Sequence, residues 1–285
     1  MGVLKTTIND ELFNQRKAHQ YQLSILLGID SLLYLVYTQE ARILLLKEYT
    51  FKSINSQNAT ALADILSFIG NDRLLKLAYR EIKIAYLSQK RTFVPNRLYH
   101  PDQKKIYLEH IVGLEANDTI QSDDLSLLRS QNIYAVNSAA LHQLQQLFPR
   151  SKQYHITSAL YLGYRNCCTL NKANLFVNLR DQSIQIFLFQ GQELLFANIM
   201  PVHAVEDLVY YVMMVFRQFN LSADQQIVQV SGDIREGADY HRALSRYVKY
   251  IQATPSALDY TYHEMHRNTL GKHHFFDVMS IALCS

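Results

Sequence analysis

Asp30, in the stretch "LGIDSLLYL", is the first residue to weigh for chemistry, because it stands in a polar turn between two apolar runs. Carboxylates that converge can hold two metal ions for phosphodiester hydrolysis, and Asp30 with the pair Asp123-Asp124 would supply three of them. A single aspartate at a turn has a simpler use, since its side chain bonds nearby backbone N–H groups. The C-terminal region carries His263, His266, His273 and His274 with Asp277. There "HEMH" places two imidazoles three residues apart, on one helical face. It is not the H-E-x-x-H of zinc proteases, because the second histidine comes one residue early. Glu206-Asp207 beside Tyr210-Tyr211 has the look of an acid pair among phenols, yet the position fits the N-terminus of a helix, where carboxylates meet free N–H groups. Cys167, Cys168 and Cys284 give neither a disulfide framework nor a zinc spacing, and small buried thiols are the expectation. No nucleophile elbow, P-loop or dinucleotide fingerprint is present.

The elements that would position these residues come from a repeat. "LSILLGIDSLLYLVYTQEARILLLKEYTF" (Leu23 to Phe51) aligns without a gap on "NLFVNLRDQSIQIFLFQGQELLFANIMPV" (Asn174 to Val202), at a constant offset of 151 residues. Asp30 falls on Asp181 and Gln39 on Gln190. Each copy holds three short runs of Ile, Leu, Val and aromatics divided by turn residues, which predicts a three-stranded meander. The runs are nearly continuous, so the sheets should be covered on both faces. A helix follows each meander ("NATALADILSFIG" with Asn58 as N-cap, and "HAVEDLVYYVMMVFRQF"), then a strand ("IKIAYLS" and "QIVQVSGD"). The first half adds a helix from Pro101, a strand "IYAVNS" and a helix "AALHQLQQLF". The second adds a helix "ADYHRALSRY", a strand "VKYIQA" and a C-terminal helix "HHFFDVMSIAL". The expected organisation is an N-terminal extension over 1–20, a first β-β-β-α-β-α lobe over 21–170 and a second over 171–285.

Composition bounds the function. The chain of 285 residues is 48% hydrophobic and 19% charged with a net charge of +3, which fits a globular protein and argues against a nucleic-acid surface. No apolar run approaches the ~20 residues that span a bilayer, and the N-terminus lacks the apolar core of a signal peptide. It does match the acylation pattern through Gly2 and Thr6, a short pattern of little weight. A cytoplasmic location is expected. Only 9 glycines are present against 19 tyrosines. Loops that wrap phosphates need glycine, so a chain this poor in it is a weak candidate for several of them.

The twofold meander followed by α-β-α resembles the layout of the actin-like ATPase superfamily. More closely, "TFVPNRLY" (Thr92 to Tyr99), "FANIMPVHAVEDLVYYVMMVFRQF" (Phe196 to Phe219) and "VSGDI" (Val230 to Ile234) resemble an uncharacterised bacterial family of that fold. That family looks akin to the actin-like proteins of pilus assembly and cell division, which work largely through partners. The resemblance implies an interlobe cleft whose nucleotide-contacting positions would be Asp30, Ser31, Asn178, Asp181, Ser231, Gly232 and Asp233. It also puts the nucleotide loops in doubt. Nothing glycine-like follows Asp30, Asn178 stands where an aspartate is expected, Arg180 replaces a glycine, and "VSGDI" has one glycine instead of two. The expectation is therefore a bacterial pseudo-ATPase with no catalytic residues, no resident metal and no cofactor, acting on an unidentified protein partner. The alternative is a divergent ATPase or kinase that uses ATP and Mg²⁺ between Asp30 and Asp181. A cleft plugged by Arg180 or by large apolar side chains would favour the first, an open cleft the second.

Overall fold

The computed structural model describes residues 2–51, 58–261 and 271–285, with the backbone alone for 58–60 and 272. The chain begins with β1 (Val3–Asn9), β2 (Gln22–Leu27), β3 (Ser31–Tyr37), β4 (Ile43–Thr50), α1 (Asn58–Asn71) and β5 (Glu81–Tyr86). Then come β6 (Arg91–Pro95), α2 (Lys104–Glu109), β7 (Asp118–Leu125), β8 (Ser130–Asn137), α3 (Ser138–Leu147), β9 (Lys152–His155) and α4 (Ile156–Cys167). The remainder is β10 (Ala173–Arg180), β11 (Ser183–Gln190), β12 (Glu193–Pro201), α5 (Val205–Gln218), β13 (Ile227–Gly232), α6 (Asp239–Leu244), β14 (Tyr250–Ala253) and α7 (Phe276–Ser280).

The repeat is visible in the strand order. The first sheet runs β1-β4-β3-β2-β5-β9 and the second β12-β11-β10-β13-β14. Apart from β1 the two orders correspond: an antiparallel meander, then two parallel strands added beside its first strand. Strand β2 begins at Gln22 and β10 at Ala173, which keeps the offset found in the sequence. A third, small sheet, β6-β8-β7, is inserted in the first half. Pro95 ends β6, and Pro101 opens the turn that leads into α2.

Side chains alternate across both sheets with the strand period of two. Leu32, Tyr34 and Val36 face a core under α1 and α3, while Leu33, Leu35 and Tyr37 face the other way. In the second sheet Ile184, Ile186 and Leu188 lie under α5 and α6, and Phe187 and Phe189 face the first sheet. The layer between the sheets is filled by α4 and α7. Tyr164 on α4 stacks between Phe176 of β10 and Phe276 of α7, with ring centroids 4.4 and 4.8 Å away. The C-terminus is pinned to the first sheet by buried Lys83, whose ammonium donates to the carbonyls of Ala282, at 2.8 Å, and Cys284.

Strand β1 has no counterpart in the repeat. It adds to the edge of the first sheet antiparallel to β4, from Val3 opposite Thr50 to Asn9 opposite Leu45. Only Ile8 of its residues is buried, so "VLKTTIN" lacks the apolar run that marked the other strands. Among the described residues no helix is long and apolar enough to cross a membrane.

Candidate functional site

The site lies where the two sheets meet, and its central side chain is Arg180. At the end of β10 the hairpin to β11 turns through Asp181 and Gln182, both left-handed with φ of 48° and 56°. That is the two-residue turn whose twist matches the flanking strands. Strand parity then puts Asn178 and Arg180 on the same face as Phe176, toward the first sheet. Arg180 is 2% exposed. Its Nε donates to Asp277 Oδ2 at 2.8 Å and its Nη1 to Glu48 Oε1 at 3.0 Å and Asp233 Oδ1 at 3.4 Å. Its Nη2 donates to the His274 carbonyl at 2.5 Å and to Asp277 Oδ1 at 3.3 Å. One guanidinium thus ties β4, the loop after β13 and the C-terminal helix together.

Glu48 and His274 complete this arrangement. Glu48 also accepts from Thr6 Oγ1 at 2.9 Å, which brings the edge strand β1 into the network. Burial pushes the Glu48 carboxyl up, but His274, the Arg180 charge and Thr6 outweigh it and hold it down at about 2. His274 Nδ1 donates to the Gly232 carbonyl at 2.8 Å, so its Nε2 is the atom that faces Glu48 and Arg235, each at 3.4 Å. Glu48, Asp233 and His274 offer ligand atoms within 4.8 Å of one another, a grouping with the chemistry of a cation site. The positive charge among them belongs to Arg180, which bonds both carboxylates directly.

Asp181, the next residue, reaches in the opposite direction. Its Oδ2 accepts from the Ile29 backbone N–H at 3.0 Å, in the turn between β2 and β3, and from Ser31 Oγ at 2.6 Å, at the first residue of β3. The turn itself is closed by the Gly28 N–H donating to the Ser31 carbonyl at 2.9 Å. A Cβ at Gly28 would collide with the Asp181 carboxylate and with Ser31 Oγ, so the close approach of the two turns requires this glycine. Enclosure of the carboxylate head between the turns is the main cause that raises the Asp181 pKa to about 7. Asp30 and Asp233 add to the rise, while Ser31 and Arg180 oppose it.

The two aligned aspartates, Asp30 and Asp181, do different work. The first turn spans Gly28, Ile29 and Asp30, whereas the second has two residues. Asp181 spends its carboxylate on the other turn and not on its own. The Asp30 carboxylate takes no hydrogen bond among the described residues, although its backbone carbonyl accepts from Phe51 N at 2.7 Å.

These charges set an expected pH dependence. A carboxyl whose folded pKa lies near 7, above its ordinary 3.8, favours the folded protein increasingly as pH falls from above 7 toward 4. Glu48 acts in the reverse sense: its contribution is complete above its ordinary 4.5 and is lost as pH falls through about 2. Asp181→Asn keeps the shape and removes the ionisation. Urea melts from pH 8 to pH 5 are expected to show the wild type gaining stability relative to the variant as pH falls, with the variant the more stable at pH 8, since Asp123, His155 and His273 titrate alike in both. Parallel curves would show that Asp181 is not enclosed.

The remaining sequence candidates fall around this centre. Asn178 Nδ2 donates to Ser231 Oγ at 3.0 Å, and that hydroxyl shares a bond of 2.7 Å with Tyr164. Asn178 Oδ1 is buried with no partner among the described residues. An aspartate here would bury an unpaired charge. Gly232, at φ 73°, approaches β10 so closely that a Cβ would strike the Leu179 carbonyl. The structure therefore joins Asp181 to Ser31 and to the turn that carries Asp30, and Asn178 to Ser231 at the end of the strand that Gly232 closes, while Asp233 bonds Arg180 between them. Sequence reasoning passed over Glu48 altogether. It had His274 and Asp277 only as part of a histidine cluster, of which His263 and His266 lie outside the described residues.

Other constellations have structural work. Asp207 Oδ2 accepts from the backbone N–H groups of His203 and Ala204 at 2.8 and 2.9 Å, the expected helix cap. Asp123 is buried and accepts from Tyr134 Oη at 3.0 Å, His155 N at 2.8 Å and Ser158 Oγ at 2.5 Å, which fastens the small sheet to α4. Asp30, Asp123 and Asp124 form no converging group among the described residues. Burial pushes the thiols of Cys167, Cys168 and Cys284 up to about 11, 12 and 12, away from reactive thiolate.

The comparisons agree with this architecture. No functionally curated protein matches the sequence. A protein with actin-like ATPase fold and unknown function from Bacteroides thetaiotaomicron VPI-5482 superposes with a TM-score of 0.78 at 18% identity, over 96% of this chain and 100% of the other. The PilM-PilN type IV pilus biogenesis complex gives a TM-score of 0.53 at 12% identity, over 92% of this chain and 97% of the matched one. The model of a family described as protein of unknown function (DUF3822) matches residues 10–251. The chain belongs to the DUF3822 family and has the actin-like ATPase fold.

Proposed function

We propose that this is a non-catalytic actin-like protein whose nucleotide cleft is filled by its own side chains, and that it works by binding another protein in the bacterial cytoplasm. The observation that carries the reading is the dipeptide Arg180-Asp181. Nucleotide sites of this kind need a cation held by carboxylates and an anion held by backbone donors. Here a guanidinium sits among Glu48, Asp233 and Asp277, and a carboxylate sits on the Ile29 N–H and the Ser31 hydroxyl. Cation and anion are thus supplied from within the chain. Asp30, Ser31, Asn178, Asp181, Ser231, Gly232 and Asp233 are proposed to join the two lobes, 21–170 and 171–285. The last residues of the second lobe, from Phe276 on, pack back onto the first sheet. The matched structural neighbour containing PilM is a complex with PilN, which supports a partner-binding role.

Thermal melts with nucleotide test this directly. A ligand at 100 times its Kd stabilises the state it binds by about 2.7 kcal/mol, which moves the melting temperature by several degrees. Millimolar ATP or ADP with Mg²⁺ is expected to leave it unchanged. A reproducible rise would support the divergent ATPase instead.

A further inference from the structure

Helix α5 carries two stripes. Leu208, Val212, Val215 and Phe216 are buried against the second sheet. A second stripe, Glu206, Tyr210, Met213 and Arg217, recurs at spacings of four, three and four and is left on the outside. Beside it stands the segment from Ala243 at the end of α6 to Tyr247, and the two walls enclose a groove of about 500 Å³. Tyr210 and Tyr247 are 66% and 56% exposed, and Met213 and Met214 are half-buried. The two exposed tyrosines offer apolar area with a polar tip on either wall, and methionine is a side chain that repacks readily around an incoming apolar partner.

The charges on the groove identify what fits it. Glu206 lies in the first turn of α5 and Arg217 in the last. Arg246 stands on the facing wall, and among the described residues neither arginine is paired with a carboxylate. Glu206 and Arg217 are separated by roughly 16 Å along the helix axis, or three helical turns. A helix carries partial positive charge at its N-terminus and negative charge at its C-terminus. We infer that the groove between α5 and the Ala243–Tyr247 segment binds an amphipathic helix of about three turns from a partner protein, acidic at its C-terminal end and lying parallel to α5. Tyr210, Tyr247 and Arg217 are the anchors, of the residue types that dominate interface energies. This inference rests on the reading of the chain as a binding protein.

The test uses two synthetic peptides of about fifteen residues, each held helical by a covalent i,i+4 side-chain bridge because this length is marginal for helicity in water and the end charges bias it unequally. They share one Leu/Phe stripe at positions i, i+3, i+4 and i+7. One has Lys in its first turn and Glu in its last, and the other has these charges exchanged. Binding is followed on the intact protein through its ¹³C-labelled methionine methyls. The acidic-C-terminus peptide is expected to shift Met213 and Met214 saturably at micromolar concentration, and the reversed peptide to bind about tenfold more weakly. Tyr210→Ala, at an exposed position that leaves the fold intact, is expected to weaken the first peptide about tenfold. No movement of Met213 and Met214, or equal affinity for both peptides, overturns the inference. Concentration-dependent movement of the same methyls without peptide overturns it in favour of a second copy of the chain. Met279, two residues from Asp277, reports the cleft in the same spectra. Its movement on adding ATP·Mg²⁺ would overturn the filled-cleft reading while leaving the groove result standing.

Discussion

Replacing Arg180 by methionine is expected to lower the unfolding free energy by about 3–5 kcal/mol, the largest single effect anticipated outside the apolar core. The loss does not come from volume, since methionine fills most of the same space. It comes from the carboxylates of Glu48 and Asp277, which are 2% and 0% exposed on their side chains and would lose the guanidinium that bonds them, Glu48 keeping only His274 and Thr6. Breaking a buried ion pair by removing one partner costs more than the pair is worth against apolar packing. The prediction therefore has a second arm. Arg180→Met combined with Glu48→Gln and Asp277→Asn is expected to be more stable than Arg180→Met alone by 1 kcal/mol or more, on the order of the cost of one unpaired buried group. Urea denaturation of the three proteins checks both. If the triple variant is the least stable, the carboxylates were not waiting on Arg180 and the network has been misread. Arg180→Lys is expected to recover little, because an ammonium has no planar fork to reach Asp277, Glu48 and the His274 carbonyl at once.

Gly28→Ala is the second large effect. Its backbone is not left-handed, so the cost is steric and not conformational. The new methyl falls on the Asp181 carboxylate and Ser31 Oγ and pushes the two turns apart. A loss of about 1–3 kcal/mol is expected, the usual range for overpacking. The diagnostic is non-additivity. In Gly28→Ala/Asp181→Gly the nearer of the two clashing groups is gone and only Ser31 Oγ must turn away, so Gly28→Ala is expected to cost less in the Asp181→Gly background than in the wild type. Additive losses would mean that the Ser31 contact, and not the Asp181 carboxylate, sets the cost.

Much of this was legible in the sequence because strands announce themselves by apolar runs. The offset of 151 residues, taken from thin identity, is the offset between β2 and β10. In the structure the period of two within β10 puts Asn178 and Arg180 on one face with Phe176. What stayed hidden has physical reasons. Strand β1 is an edge strand with a single buried side chain, so it has no periodic signal. Strands β6 and β7, "RTFVP" and "DTIQSDDL", are half polar and are held by β8 between them. Glu48 sits in "ILLLKEYT", where a charge beside a lysine reads as the solvated side of a strand. Its partner Arg180 is 132 residues away. No local pattern reports such a pair. The glycine deficit was informative in a different way: Gly28 and Gly232 are both spent on close approaches within the chain, to Asp181 and to the Leu179 carbonyl.

The central claim is that Asp181 closes the cleft from within, and its own titration tests it most directly. The side-chain carboxyl carbon of Asp181 would be followed by NMR from pH 3 to pH 9, with and without millimolar ATP·Mg²⁺. An enclosed carboxylate between the Ile29 N–H, Ser31 and the neighbouring acids predicts a midpoint near 7 that nucleotide does not move. A midpoint near the ordinary 3.8, or one displaced by ATP·Mg²⁺, would mean that the cleft is open to a ligand and would contradict the filled-site reading.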